Sequence, residues 1–350
     1  MKTNINIFSC CLFISFMLVS CKEKDPEVTD PLGVIVLAPL NDDIPYKALG
    51  SGKIVFDRIH PYRFENNGFY VLDIDKKTTS GFRLNSLARE PSISPDGTRI
   101  ACSLLLSSSS LSVSWDIYLM NTDGSSCYQV SPATGLFEFP SWTTDGSKIM
   151  FYNSGTDGAL YIQSPVKDAT DRQELVKFYY PNYPDWLLSP LGGFSWSPAG
   201  TIVLDGCAGG VCGIMGLTPY LGKSGVTSLL PNNDSESVGT PVYSPDGLKI
   251  AFISSGIDSF STWINVKTMN ADATGVISLC RINTFKYPVQ YQGVRRNIAL
   301  CWSPDGSKIL FTAPLEEYGC HIFVINSDGT GLTQVTKDIK AYDLDVSWSR

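Results

Sequence analysis

From about Gly50 to its last residue, the chain repeats one pattern, in which a short run of alternating apolar and polar residues is followed by a turn and a second alternating run. Alternation with a period of two residues is typical of β-strands that bury one face. In the clearest copy, CWSPDGSKI at residues 301–309, Pro-Asp-Gly forms the turn. The pattern therefore predicts a chain built from β-hairpins.

The motif occurs five times, at intervals of 47 to 59 residues, and its copies begin at Ser92, Ser141, Ser195, Val242 and Cys301. Third strands are predicted over 116–121, 160–163 and 321–326. Fourth strands are predicted over 128–131 and 332–336, after Asn-x-Asp-Gly turns. Repeats of this length with four antiparallel strands each are typical of β-propeller blades.

A sixth copy is divided between the two ends of the chain. Residues 346–350, VSWSR, match the start of the motif, and residues 50–56, GSGKIVF, match its continuation. A blade built from both termini leaves no sheet edge open. We therefore expect an all-β fold over residues 50–350, a six-bladed β-propeller of four-stranded antiparallel blades with one blade closed by both chain termini.

The first 20 residues have the layout of a signal peptide, with Lys2 followed by an apolar stretch too short to cross a bilayer. The sequence LVSC at 18–21 resembles the bacterial lipobox. This resemblance implies that the peptide is cut before Cys21 and that a diacylglycerol is attached to the Cys21 thiol. We expect residues 21–49 to be a linker from this lipid anchor, because the run KEKDPE at 22–27 must be solvated.

The charged run is also similar to the signal that sends Bacteroidetes lipoproteins to the cell surface. We therefore expect the protein in the cell envelope, lipid-anchored at the outer membrane, and both the surface and the periplasmic face stay open. The net charge is −7, and no basic cluster is longer than Arg295-Arg296. A nucleic-acid partner is not expected, because phosphate backbones require a basic surface.

Seven cysteines follow Cys21, and Cys207 and Cys212 form the pair most easily closed, across the flexible segment AGGV. Disulfides and buried thiols stay open for the others. No zinc-type pairing of closely spaced cysteine and histidine is present in the sequence, so neither a metal nor a cofactor is expected.

The repeat unit, WSPDGSKI followed by a strand and then Asn-x-Asp-Gly, resembles the repeats of TolB-type propellers, which are related to the tryptophan-aspartate repeat propellers. The resemblance covers roughly residues 50–350. It implies the fold but not the function. TolB proper carries an extra α/β domain where this chain has its linker, which argues against a role in the Tol-Pal system. Similar blades occur in prolyl oligopeptidases, but no residues remain here for their hydrolase domain.

The two kinds of short turn must lie on one face of the propeller, so the longer connections lie on the opposite face, which we call the long-loop face. Binding residues concentrate on such loops, and tyrosine, tryptophan and arginine supply much of the binding energy at interfaces. The loops carry the following candidates: Tyr62, Arg63, Phe64, Tyr179, Tyr180, Tyr183, Trp186, Tyr287, Tyr291, Arg295 and Arg296. The alternative is that the aromatic residues fold back on one another as a small satellite core.

Four tryptophans share one register of the repeat, and they are Trp142, Trp196, Trp302 and Trp348. They could stack on a ligand around the channel, but the alternation favours packing between neighbouring blades. His60 and His321 are the only histidines, and no catalytic motif is recognised. A metal or an acid/base pair shared by these two histidines is a weak alternative.

We therefore expect a membrane-anchored, non-enzymatic binding or scaffold lipoprotein that uses its long-loop face for a protein or peptide partner. The first alternative is glycan binding for nutrient capture, because exposed tyrosine and tryptophan rings stack on sugars. A propeller lyase or hydrolase is a less favoured third hypothesis, which requires carboxylates clustered with histidine or arginine in the central pocket.

Overall fold

The computed structural model describes residues 33–60, 63–109, 112–132, 135–155, 158–177, 193–208, 211–219, 225–233, 235–257, 262–284, 298–316 and 319–350. These residues form an all-β propeller whose blades are four-stranded antiparallel sheets. Among them, no helix has the length and apolar character needed to cross a bilayer.

The N-terminal elements precede the first complete repeat. They are β1 (Val34–Leu37), α1 (Tyr46–Leu49), β2 (Lys53–Ile59), a 3₁₀ turn (Phe64–Asn66), β3 (Gly68–Asp73) and β4 (Thr78–Leu84).

Four separate four-stranded sheets follow, each with its strands in chain order. The first contains β5 (Ala88–Ile93), β6 (Arg99–Ser109), β7 (Ser112–Asn121) and β8 (Tyr128–Gln129), and the second contains β9 (Phe137–Trp142), β10 (Ile149–Asn153), β11 (Ala159–Gln163) and β12 (Gln173–Lys177). The third contains β13 (Phe194–Trp196), β14 (Ile202–Ala208), β15 (Val211–Leu217) and β16 (Val226–Pro231), and the fourth contains β17 (Ser237–Tyr243), β18 (Lys249–Ile257), β19 (Thr262–Asn270) and β20 (Ile277–Thr284).

The remaining strands belong to one nine-stranded sheet together with β1 to β4. They are β21 (Leu300–Trp302), β22 (Lys308–Glu316), β23 (Gly319–Asn326), β24 (Thr333–Gln334) and β25 (Tyr342–Ser349). A single parallel bridge between Cys320 and Tyr342 joins β23 to β25. The prediction of separate four-stranded blades is thus confirmed for four sheets, whereas the strands predicted for the other two lie in this one sheet.

The pairing predicted between the two ends of the chain is present. β2 and β25 run antiparallel, with Lys53 opposite Ser349, Ile54 opposite Trp348 and Arg58 opposite Asp343. The last strand is therefore hydrogen-bonded to the first strand of the repeat.

The segment predicted as a linker is partly folded. β1 pairs with β4 in an antiparallel register, and Leu37, Ile44 and Leu49 are buried in the core cluster that contains Trp348. The run VIVL at 34–37, in which three of four residues are β-branched, thus extends the sheet instead of remaining in solvent, and the boundary predicted between residues 49 and 50 stays a prediction. Cys21, the signal peptide and the charged run lie outside the described residues.

The core lies between neighbouring sheets, and three tryptophans of the repeat are packed there as predicted. Trp142, Trp302 and Trp348 are only 6 to 9% exposed, and each Nε1 donates a hydrogen bond of 3.0 to 3.1 Å to a backbone carbonyl. Trp196 is the exception, because it is half-buried and makes no hydrogen bond within the described residues. The predicted disulfide between Cys207 and Cys212 is confirmed, and these residues face each other across β14 and β15.

Candidate functional site

Of the predicted binding residues, Arg63 is described, and its side chain is exposed beside the 3₁₀ turn. The others lie outside the described residues and stay predictions: Tyr62, Tyr179, Tyr180, Tyr183, Trp186, Tyr287, Tyr291, Arg295 and Arg296, together with the side chain of Phe64. The structure therefore tests neither their exposure nor the alternative that they form a satellite core.

A cavity of about 270 Å³ lies at the centre of the propeller, where residues of β5, β9, β13, β17, β21 and β25 line it. One register of these strands places small residues on its wall: Ser92, Ser141, Ser195, Val242, Cys301 and Ser347. Each directly precedes the residue that packs between sheets, so the alternation of the strand sends the small residue to the cavity.

Two of these serines tie neighbouring inner strands together. Ser195 Oγ accepts a hydrogen bond of 3.0 Å from the backbone N–H of Tyr243, and Ser347 Oγ accepts one of 3.1 Å from that of Ile93. The serine register therefore stabilises the wall of the cavity.

At the long-loop end of the cavity, four residues hold a left-handed backbone conformation although none is glycine. Glu90, Phe139, Thr240 and Asp345 have φ values of 58°, 56°, 51° and 50°, and all four line the cavity. Each lies three residues before the position that packs between sheets. The strand that lines the cavity has its register shift, a β-bulge, at this left-handed residue. Such a conformation costs roughly 1 to 2 kcal/mol per residue, and strained residues cluster at functional sites.

Glu90 and Asp345 line this end of the cavity, and their carboxyl groups act electrostatically on that of Asp57 in β2; we call these three residues the acidic cluster. Desolvation raises the pKa of Asp345 to about 7, and the neighbouring Glu90 carboxylate adds to the effect. Burial also raises the pKa of Asp57 well above its usual range, with further contributions from Asp345, Asp343 and Glu90. The pKa of Glu90 is raised by burial and partly offset by Arg89. Negative charge at this site is therefore poorly compensated.

Arg89 is a cation close to the acidic cluster, and its guanidinium is already engaged. It pairs with Glu138, its Nε lies 3.4 Å from a Glu90 oxygen, and the group lies 3.7 Å from the centre of the Trp115 ring. Glu90 also accepts hydrogen bonds from Ser103 Oγ at 2.7 Å and from the Phe139 N–H at 2.8 Å. These contacts hold the Glu90 carboxylate at the cavity rim.

Arg58 forms a separate buried network. Its Nε and Nη2 donate to the two oxygens of Asp343 at 2.6 and 2.9 Å, and Nη2 also donates to Asp42 at 2.8 Å. The guanidinium lies over the rings of Phe56 and Tyr70, at 5.8 and 5.6 Å from their centres. This bidentate pair joins β2 to β25.

The two histidines are both buried. His60 Nε2 lies 3.8 Å from Asp338 Oδ2, and His321 is 1% exposed in β23. Within the described part of the chain, no group of three or more histidine, cysteine, aspartate or glutamate residues could hold a metal ion. The geometry therefore gives no support to a metal shared by His60 and His321.

Trp196 lines a cavity of about 410 Å³ on the opposite face, together with Lys148, Asp171, Gln173 and Thr218. Lys148 hydrogen-bonds to Asp171 and to Ser164. The turn after Trp196, SPAGTI, is one residue shorter than SPDGSKI and lacks its lysine. The cavity therefore places an accessible indole beside polar side chains.

Sequence reasoning missed the acidic cluster and the left-handed residues. The only sequence signal of the left-handed residues is their shared position, three residues before Ile93, Trp142, Tyr243 and Trp348, and Asp57 lacks even this signal. Asp57, Glu90 and Asp345 come from β2, β5 and β25, and their proximity becomes visible only once the ends of the chain are paired.

No family model matches the chain, and no curated protein matches it. Among solved structures, TolB from Acinetobacter baumannii is similar, with a TM-score of 0.62 and 18% sequence identity over 85% of this chain and 66% of that chain. A protein assigned as TolB from Agrobacterium tumefaciens has a TM-score of 0.54 and 14% identity, over 86% of this chain and 100% of that chain. The chain thus spans just under two thirds of the length of the Acinetobacter protein, and the similarity shows that it has the TolB-like β-propeller fold.

Proposed function

We propose that the protein is a non-enzymatic binding protein of the bacterial cell envelope, which holds a protein or peptide partner on its long-loop face at the mouth of the central cavity. The observation that carries this proposal is the set of four strained residues, Glu90, Phe139, Thr240 and Asp345, at equivalent positions around one cavity. Backbone strain of this kind is retained where it serves a functional site. It therefore favours a binding site on the long-loop face rather than on the opposite face, which carries the short turns and which we call the turn face.

The proposal includes a lipid anchor at Cys21 in the outer membrane. A tether would raise the effective concentration of any membrane-associated partner. We also propose that the nine-stranded sheet is two blades, so that the propeller has six. Support for this count comes from the central cavity, which residues of six inner strands line.

Photo-crosslinking tests which face binds. A photoreactive amino acid replaces Arg63 on the long-loop face or, as a matched control, Leu248 on the turn face, where the side chain is 68% exposed. In intact cells we expect one specific crosslinked product from position 63 and none from position 248. A product from position 248 alone, or none from either position, would contradict the proposal.

Glycan binding is a second candidate, favoured by the accessible indole of Trp196 among polar side chains. Apolar faces of sugar rings pack on such an indole while hydroxyl groups bond to the polar neighbours. On this hypothesis, an envelope polysaccharide retards the wild-type protein in affinity electrophoresis and Trp196→Ala abolishes the retardation. The control Trp263→Ala, at a half-buried tryptophan of β19 outside this cavity, retains it. Equal retardation of both variants would remove this candidate.

A lyase or hydrolase is the weakest candidate. Glu90 and Asp345 do line the central cavity, but the nearby Arg89 is already paired with Glu90 and Glu138.

A further inference from the structure

A second cavity on the long-loop face, of about 310 Å³, lies between β2 to β4 and the connection that leads into β5. Asp57, Phe69, Phe82, Arg83, Asn85 and Leu87 are among the residues that line it. It is separate from the central cavity, with which its lining shares no residue.

Asp57 is buried in this cavity with 5% of its surface exposed. Within the described ranges its carboxyl group makes neither a hydrogen bond nor an ion pair. The charged neighbours that act on it are the carboxyl groups of Asp345, Asp343 and Glu90, and each raises its pKa further. A buried carboxyl group without a counter-charge is costly to a fold, and one that lies in a cleft is a candidate binding group.

Two of the nearby cations, Arg58 and Arg89, are engaged elsewhere. Arg58 follows Asp57 in β2, but it is bonded to Asp343 and Asp42. Arg89 is occupied by Glu90 and Glu138. Arg83 lines the same cavity as Asp57, but in the described part of the protein neither an ion pair nor a hydrogen bond joins the two side chains.

The walls of the cavity suit an alkyl chain. Phe69 and Phe82 are buried beside Asp57, and their rings contact edge to face with centres 5.9 Å apart. Ile59 and Leu87, at 37% and 51% exposure, present apolar surface at the mouth. A chain of methylene groups that ends in a cation matches this combination of apolar wall and carboxylate.

The rim offers groups for a peptide backbone. Asn85 is exposed there, and Arg83, which forms no ion pair within the described structure, also lines the cavity. Main-chain carbonyl groups accept hydrogen bonds from such donors. A peptide brings carbonyl groups that accept hydrogen bonds from these donors. A simple amine has no such acceptor, so its positive charge would lie near the positive Arg83 guanidinium with nothing between them to compensate.

We infer that this cavity binds a lysine side chain of the protein or peptide partner, with its ammonium group paired to Asp57 and the neighbouring carbonyl groups bonded at the rim. The inference rests on the proposed function, since it names the residue by which that partner is recognised.

The test is calorimetric titration of the full-length chain at pH 8 with Nα-acetyl-lysine-N-methylamide, whose amine is still protonated at this pH. The uncharged probe is Nα-acetyl-norleucine-N-methylamide, which has the same four side-chain carbons but lacks the ammonium group. Asp57→Asn removes the counter-charge, and Asp43→Asn, at an exposed position, removes one charge elsewhere. We expect the lysine probe to bind the wild type and Asp43→Asn alike, and to bind Asp57→Asn at least tenfold more weakly.

Equal affinity of Asp57→Asn and the wild type for the lysine probe would overturn the inference, and so would norleucine binding as tight as lysine binding or no saturable binding by the wild type. Asp57→Asn should melt at or above the wild-type temperature, because it removes an uncompensated buried charge. This assay needs no natural partner, so it can fail while crosslinking at position 63 succeeds, and the reverse holds as well.

Discussion

Replacing Arg58 with methionine is expected to lower the free energy of unfolding by about 3 to 5 kcal/mol. The substitution leaves Asp343, which is fully buried, without its bidentate partner. It also removes the guanidinium group that donates a hydrogen bond to Asp42 and lies over the rings of Phe56 and Tyr70. The cost is large because an ionised carboxylate without a counter-charge is strongly disfavoured in the protein interior.

Urea denaturation of the purified protein measures this loss. The double variant Arg58→Met/Asp343→Leu should recover much of it, since replacing both members of a buried pair with apolar groups is often nearly neutral. As a control, Lys76→Met breaks a surface pair with Asp73, in which the lysine is 74% exposed, and should leave the free energy of unfolding almost unchanged. A loss for Arg58→Met as small as that control would contradict a structural role for the buried pair.

Stability should fall as the pH rises from about 4 to 7, and Asp345→Asn should remove part of this fall. The pKa of Asp345 is about 7 in the folded protein, above its usual value of 3.8. The folded state therefore keeps a proton that the unfolded chain releases, so the group destabilises the fold progressively through this window and fully above it. The expected gain of the variant at pH 8 is on the order of 2 to 4 kcal/mol, while at pH 3.5 the gain should vanish.

Asparagine is a suitable replacement, because it tolerates the left-handed backbone found at Asp345. Thermal or urea unfolding across the pH range measures the effect. Asp305→Asn is a control of opposite sign, since hydrogen bonds from Ser303 and Ser307 lower the pKa of Asp305. Its carboxylate stabilises the fold above the unfolded pKa, and that contribution is lost as the pH falls through the folded value. If both variants changed the pH profile in the same direction, the assignment would be wrong.

The features that sequence reasoning predicted are those with a local physical signal. Pro-Asp-Gly marked the turns, alternation placed Trp142, Trp302 and Trp348 between sheets, and the short spacing of Cys207 and Cys212 indicated their disulfide. The split sixth copy predicted the pairing of β2 with β25 because both halves of the motif are present in the sequence.

The features that it missed depend on contacts between distant segments. β1 was assigned to a linker because the charged run before it dominated the local composition, although 34–37 adds a strand to β4. Glu90 and Asp345 have side chains that give no warning of a positive φ. Asp57 lies in an ordinary strand sequence, and its lack of a counter-charge appears only when β2, β5 and β25 are brought together.

The pairing of the first repeat strand with the last has a consequence for biosynthesis. β25 follows its partner β2 late in the chain, so β2 has no inner neighbour until that late segment is synthesised. The strands of a separate sheet such as β5 to β8 are contiguous in the chain, so they can pair as soon as they are synthesised. Domains tend to fold from the N-terminus as they emerge from the ribosome. The ring of the nascent polypeptide therefore stays open until β25 has been synthesised and can pair with β2.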